Sequence, residues 1–395
     1  NHTLNTRCPN CGTEGLEQVY EISGIPTHSC LLMETREEAL SFPTGDLVLG
    51  WCSSCGHASN MVFDVSMNAY STRYEEVQTF SPVFSGFQSE LIDRLIDKHG
   101  MRGKHVVEIG CGKGEFLLEL CDRGDNSGVG IDPSFVPGRG DWNSQGRCRF
   151  INEIYSAERH SDIPADLVVC RHTLEHIYPT HEFIQTVRKT IGDDLGTLVF
   201  LEIPDQQRVY SERAFWDIYY EHCSYFTQGA LERLFLSCGF EVLSSWKGFG
   251  DQYLLIEARP LAAGQVPTFR VQEDLDEIRG IVESFAEDAP RVVRSWVDRF
   301  RAWKEADQRV VIWGAGSKGV AFLTTIGVTD ELGYAVDINP HKHGYFMPGT
   351  GHEVVSPEFL VQYRPDVVLV MNGIYEEEIG RQLAGMGLEP QLISV

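Results

Sequence analysis

The stretch "VVEIGCGKGEFLLEL", residues 106–120, sets a β-branched run against three alternate glycines and then an apolar helical pattern. A chain passes this tightly from strand to helix where Cβ atoms are dispensed with, so Gly110, Gly112 and Gly114 predict a buried parallel strand, a close-backed turn and a helix ending near Gly124. "SGVGIDPS" follows as a second strand with Asp132 at its end. The interval from Gly112 is about twenty residues, the distance at which a carboxylate meets ribose hydroxyls in a nucleotide-binding strand-helix-strand unit. This order predicts an α/β fold that binds its ligand at the carboxyl ends of the strands.

Two ligand classes use such a turn. Dinucleotide folds place a pyrophosphate on the helix N-terminus with G-x-G-x-x-G spacing. Here the glycines run Gly110, Gly112, Gly114 with Glu108 in front, and "EIGCGKG" resembles motif I of class I S-adenosylmethionine methyltransferases. The resemblance implies a Rossmann-like sheet whose loop backbone lies against the amino-acid and sulfonium end of S-adenosylmethionine. The continuation agrees. "CRFINEIYS" reads as a third strand whose exit residues Asn152 and Glu153 are placed to accept from an adenine amino group. "ADLVVCRHTLEHI" and "GTLVFLEIPD" read as fourth and fifth strands, and "GFEVLSSWKGFGDQYLLIEARP" as a closing hairpin.

Ahead of the sheet stand two knuckles, "CPNC" (Cys8, Cys11) and "CSSC" (Cys52, Cys55), each followed by Gly. Four thiolates in two such pairs suit one tetrahedral, structural Zn²⁺. The interval between the pairs predicts an inserted hairpin, in which His28 and Cys30 are bystanders to the metal. The remaining seven of the 11 cysteines read as core or bystander residues in reduced form.

At 395 residues the chain exceeds what one core usually serves, which predicts several domains. A net charge of −24 argues against a nucleic-acid partner, whose phosphates call for Lys and Arg. No run of about 18 apolar residues could span a bilayer and the N-terminus lacks a secretory pattern, so a soluble, cytoplasmic protein is expected.

Chemistry is predicted in "AFWDIYYEHCSYFT", after the fifth strand. The imidazole of His222 titrates near neutrality and, held by a carboxylate or phenol, could remove a carbon-bound or hydroxyl proton. Glu221, Tyr219, Tyr220 and Tyr225 surround it in sequence. His176 in "LEHI" is a second candidate, with His172 and Glu175 ranked below it. Tyr70 and Tyr74, in a polar aromatic segment before the sheet, predict either a lid or a linker.

After a linker at "RPLAAGQVPTF" and a helical stretch, "RVVIWGAGSKGVAFL" repeats the strand-glycine-helix device, with Asp337 about twenty residues on. Read alone, this would be a nicotinamide dinucleotide site. With "DVVLVMNG" it predicts a small Rossmann-like domain. The three parts together resemble the sugar C-methyltransferase family acting on nucleotide-linked ketosugars, along nearly the full length. The resemblance rests on the four cysteines, "EIGCGKG", "YYEHCSYF", and "WGAGSKG" with "VDINPHKHGYFMPGT". It implies a zinc module at 1–68, a methyltransferase domain at 69–260 and a Rossmann-like domain at 261–395. It further implies His222 as the base that forms an enolate, with Tyr219, Glu221 and His176 around the sugar. The competing readings are an O- or N-methyltransferase on another small metabolite, or an NAD(P)-linked oxidoreductase using the second glycine loop.

Overall fold

The computed structural model describes residues 3–68, 73–139 and 146–395. Three sheets organise them. The first is antiparallel: strand Glu17–Pro26 pairs with Thr44–Trp51, which pairs with Ala58–Asn60. The expected hairpin between the cysteine knuckles is thus present, its connection carrying the short helix Arg36–Leu40. The fourth strand of this sheet comes from far along the chain, as Ser224–Tyr225 pairs antiparallel with Ala58 and Ser59.

The second sheet has seven strands. Counted in chain order they are His105–Ile109, Ser127–Ile131, Cys148–Ile151, Leu167–Arg171, Leu198–Pro204, Phe240–Gly248 and Tyr253–Pro260, and they lie in the order 6-7-5-4-1-2-3. The first five run parallel and the hairpin is antiparallel, as the sequence predicts. Val106, Val107 and Ile109 are all buried because helices cover both faces, which is why this strand reads as a continuous apolar run. The strand order reverses between the first and fourth strands, and open α/β sheets bind ligands at such a switch point.

The third sheet is wholly parallel and orders its strands 3-2-1-4-5: Val310–Trp313 at the centre, flanked by Tyr334–Val336 and Val354–Val355 on one side, Val367–Val370 and Gln391–Ser394 on the other. Helix Leu275–Glu305 precedes it, started by Asp274, whose side chain accepts from the backbone N–H of Asp276 and Glu277. At 31 residues it spans roughly 46 Å. Its inner face ties the parts together: Phe285 meets Tyr20 of the first sheet and Tyr210 of the middle region, while Trp296 and Phe300 meet Phe322 of helix Ser317–Ile326. Phe215 stacks on the same Phe322. One continuous apolar core therefore joins the first and third sheets through helix Leu275–Glu305 and the segment 209–225, while the seven-stranded sheet packs in two cores of its own. Among the described residues no helix is long and apolar enough to cross a membrane.

Candidate active site

The first strand of the seven-stranded sheet ends in a turn that only glycine fits. Gly110, Gly112 and Gly114 all have positive φ, at 71°, 54° and 90°. A Cβ on Gly110 would lie 2.0 Å from Thr173 Oγ1, so the exit of the fourth strand packs directly on the turn. The Gly112 N–H donates to Asp132 Oδ2 at 2.9 Å and the Ser134 N–H to Oδ1 at 2.6 Å, which fixes the Asp132 carboxylate at the mouth of the second strand. Glu108 is buried beneath the turn, where desolvation pushes its carboxyl up to about 8, and its Oε2 has no hydrogen-bond partner. Glu76, from the segment before the sheet, reaches over Gly112, and burial pushes it up to about 8 as well. Glu153 lines the cavity beside Ile154 and pairs with Arg159. Asn152 directs its amide N–H to the Phe135 carbonyl at 2.9 Å.

A cavity of about 600 Å³ opens from this turn, ample for a nucleoside cofactor and a second ligand. Its middle is walled by the loop that follows the fifth strand. His222 is buried, and its Nε2 lies 3.1 Å from the Tyr219 hydroxyl. The His176 ring stands edge-on to it with centroids 4.7 Å apart. Burial, then the neighbouring imidazoles of His176 and His172, holds His222 well below the ordinary histidine value, so it is a neutral proton acceptor. Glu221 Oε1 accepts from the Ser29 backbone at 3.0 Å and from the Ser317 hydroxyl at 3.5 Å, and burial raises Glu221 to about 7. The loop is fixed from outside by the first sheet: Gly45 permits strand Thr44–Trp51 to press on the Tyr220 ring, where a Cβ would lie 2.5 Å from Cε2.

Of the predicted residues, Tyr219, His222 and His176 thus converge on the cavity, whereas the Glu221 carboxyl is spent on Ser29 and Ser317, and Tyr70 lies outside the described residues. Tyr74 lines the cavity with its ring 5.3 Å from that of His28. Cys30 also lines it, with its thiol 3.2 Å from the Ser317 hydroxyl.

At the far end the cavity reaches the second glycine loop, Gly314 and Gly316 to Gly319. Lys318 and Arg208 both bond the buried Asp217. Asp337 accepts from the Ala315 N–H at 3.1 Å and meets the buried Lys342 at 3.3 Å. Two cationic side chains, Lys318 and Lys342, therefore flank a helix N-terminus inside the cavity.

The cysteine knuckles lie away from this cavity. Cys8 and Cys55 Sγ are 3.8 Å apart, Cys11 and Cys52 Sγ 3.6 Å, and all four sulfurs lie within 4.8 Å of one another. Bonds of about 2.3 Å to a tetrahedral Zn²⁺ separate sulfurs by about 3.8 Å, so the set fits the ion closely, and the spacing excludes disulfides. Each knuckle turns through a positive-φ glycine whose N–H bonds the first cysteine's carbonyl: Gly12 to Cys8 and Gly56 to Cys52, both at 2.8 Å. His28 and Cys30 stand outside this cluster.

Two family models match the chain, a methyltransferase domain over residues 84–245 and a C-methyltransferase C-terminal domain over residues 262–389. C-methyltransferase NovU from Streptomyces niveus is 30% identical over 305 residues, covering 73% of this chain and 71% of that protein. The chain belongs to the C-methyltransferase family. It is an S-adenosylmethionine-dependent enzyme with the Rossmann-like sheet of the class I methyltransferases. Among solved structures it is similar to 1,6-didemethyltoxoflavin-N1-methyltransferase of Burkholderia thailandensis, with 16% identity, 46% of this chain and 82% of that chain covered, and a TM-score of 0.34. Magnesium protoporphyrin IX methyltransferase of Synechocystis PCC 6803 compares at 13% identity, 45% and 84% coverage, and a TM-score of 0.34.

Several side chains of this C-methyltransferase site escape sequence reasoning. Glu76 sits in a polar run that reads as lid or linker, and Asp217 and Arg208 belong to no motif. Lys318 was visible inside "GAGSKG", where a cation beside a glycine loop is itself a signal for a phosphate. Glu175 and His172 were ranked below His176, yet both are central in space.

Proposed function

We propose that this enzyme methylates a carbon of a nucleotide-linked ketosugar, with His222 as general base. One observation carries the reading: a single cavity runs from the Gly110–Gly114 turn, past His222, to a second glycine loop flanked by Lys318 and Lys342. An S-adenosyl cofactor and a methyl acceptor need only the first half. The second half has the chemistry of a pyrophosphate seat, with backbone N–H groups at a helix N-terminus, the buried Lys342 and the half-buried Lys318. A nucleotide-linked acceptor uses both ends and leaves its sugar beside His222.

S-adenosylmethionine, when bound, supplies an electrophilic methyl group. The residues present fit it: a tight glycine turn whose Gly110 and Gly112 line the cavity, Asp132 at ribose distance along the chain, and Glu108 and Glu153 on the same cavity wall. A carbon acceptor must first lose a proton, and general-base assistance is worth roughly 10²–10⁴-fold. His222, neutral and buried, takes that proton. Tyr219 orients the imidazole and donates toward the enolate oxygen, His176 stands where it would meet the sugar, and Glu221 fixes the loop. The four cysteines hold one structural Zn²⁺, and residues 1–68, 69–260 and 261–395 act as zinc module, methyltransferase domain and acceptor-binding domain.

The test is to offer methyl-labelled cofactor with a panel of nucleotide sugars, ketones included, and to locate the label. A methyl on carbon beside a carbonyl is expected. A label on oxygen or nitrogen, or transfer to acceptors without a nucleotide at equal efficiency, removes the reading.

A further inference from the structure

We infer that Glu175 is the positioning residue for His222, and that it works as the inner end of a buried ionic row formed with His172, Glu202 and Arg171. The inference rests on the reading of His222 as base.

The row is read from distances. Arg171 Nε lies 2.7 Å from Glu202 Oε2, and His172 Nε2 lies 2.8 Å from Glu202 Oε1. His172 Nδ1 then faces Glu175 Oε1 at 3.6 Å, and the same oxygen faces His222 Nε2 at 4.0 Å. Charges alternate along it, from guanidinium to carboxylate to imidazole to carboxylate, and it ends at the imidazole that is to receive a proton. Glu175 and Glu202 are 2% and 0% exposed, and neither Glu175 oxygen has a hydrogen bond. A buried carboxylate without donors persists only where a cation compensates it, and the His172 imidazolium is the group placed to do so.

The backbone holds this arrangement under constraint. His172 has φ of 47°, a left-handed conformation that a non-glycine side chain adopts at a cost, and its N–H is tied to the Glu202 carbonyl at 2.8 Å. The Cys223 N–H bonds the Glu175 carbonyl at 2.9 Å, which fastens the loop bearing His222 to the turn bearing Glu175. Although burial lowers it, the carboxylates of Glu202 and Glu175 raise His172 to about 9, so it is a cation at neutral pH.

The other ionisable groups facing the row act in known directions. His176 and Lys318 oppose protonation of His222, and the Tyr219 hydroxyl bonds its Nε2. His28 approaches His176 from the first sheet's side, and Tyr253 covers the His172 ring edge-on at 4.5 Å. Glu221, next in the chain to His222, spends Oε1 on Ser29 and Ser317. Glu175 is accordingly the carboxylate within 4.0 Å of the base. In the proton step the substrate C–H bond breaks, its electron pair stays on carbon, and the proton moves to His222. The resulting imidazolium faces Glu175, which lowers the energy of that charge where other neighbours raise it.

The experiment uses the whole protein with S-adenosylhomocysteine bound and histidine labelled with ¹⁵N. His172 is expected to give the nitrogen shifts of an imidazolium at pH 7.5, and its titration midpoint should fall by at least one unit in Glu175→Gln. In turnover, Glu175→Gln should lower the plateau rate at least tenfold and move the acidic limb of the pH profile to lower pH, with KM for the cofactor little changed. His172→Asn, a residue that tolerates the left-handed backbone, removes a cation and should move the same limb to higher pH. It also serves as the test if Glu175→Gln fails to fold. A neutral His172 at pH 7.5, or limbs that do not move in opposite directions, overturns the row. His222→Asn separates the two ideas: retained turnover discards the base, whereas lost turnover with an unmoved limb in the other variants discards only the row.

Discussion

Glu221 shows how much rests on single side chains here, since one carboxylate oxygen touches Ser29 of the first region and Ser317 of the last. His222 beside it carries the sharpest expectation. His222→Ala should reduce turnover by 10²-fold or more while S-adenosylhomocysteine binding, measured by calorimetry, stays within a few-fold. A second expectation concerns pH and stability. Despite burial, Arg171 and His172 hold Glu202 down to about 2 against an ordinary 4.5, so its contribution is complete above 4.5 and is lost as pH falls toward 2. His172, raised to about 9 from 6.5, contributes fully below 6.5, and that contribution is lost as pH rises through 9. Thermal unfolding followed across pH should therefore show a loss of Tm between pH 6.5 and 9 that His172→Asn flattens. His222 was legible because an imidazole beside Glu221 in an aromatic loop is a chemical pattern in itself. Glu175 was not, because what distinguishes it is a distance to His172 and Glu202 and a lack of hydrogen bonds, neither of which is written in "LEH".

At the scale of elements, glycine-marked turns were readable and pairings across long separations were not. "EIGCGKG" announces its strand, turn and helix because positive φ at Gly110, Gly112 and Gly114 leaves few other residues possible. Strand Ser224–Tyr225 has two residues, too few to show any alternation, and its partner Ala58–Asn60 lies far earlier in the chain. That pairing gives the cysteine cluster a reach beyond its own module. Cys52→Ser should abolish stoichiometric zinc, about one ion per chain by elemental analysis, and depress turnover as well, because the strand that secures the His222 loop loses its neighbour's support. Full activity in metal-free protein would contradict this coupling. The cofactor half divides similarly: Glu153 faces the cavity as its strand-end position implied, whereas Asn152 bonds Phe135, a choice made by the local turn.

For the whole molecule, composition and motif order indicated three parts, and one apolar core spans the first and third sheets and the segment 209–225 while the seven-stranded sheet keeps cores of its own. Phe322 is fully buried and meets Phe215, Trp296 and Phe300. Phe322→Ala should cost about 3–5 kcal/mol and lower the melting of the first and third sheets together, read as one shifted calorimetric transition. Separate transitions for these two sheets, with only one displaced, would contradict a shared core. Helix Leu275–Glu305 makes that sharing possible, and its helical pattern was visible in the sequence while its unbroken length and the faces it joins were not. The borrowed strand Ser224–Tyr225 has a further consequence for anyone recombining relatives of this enzyme. A crossover that exchanges the cysteine-bearing front end alone would splice one parent's edge onto another parent's reaction loop. Functional hybrids will inherit the two segments from the same parent, so their ancestry is linked although some 160 residues of chain lie between them.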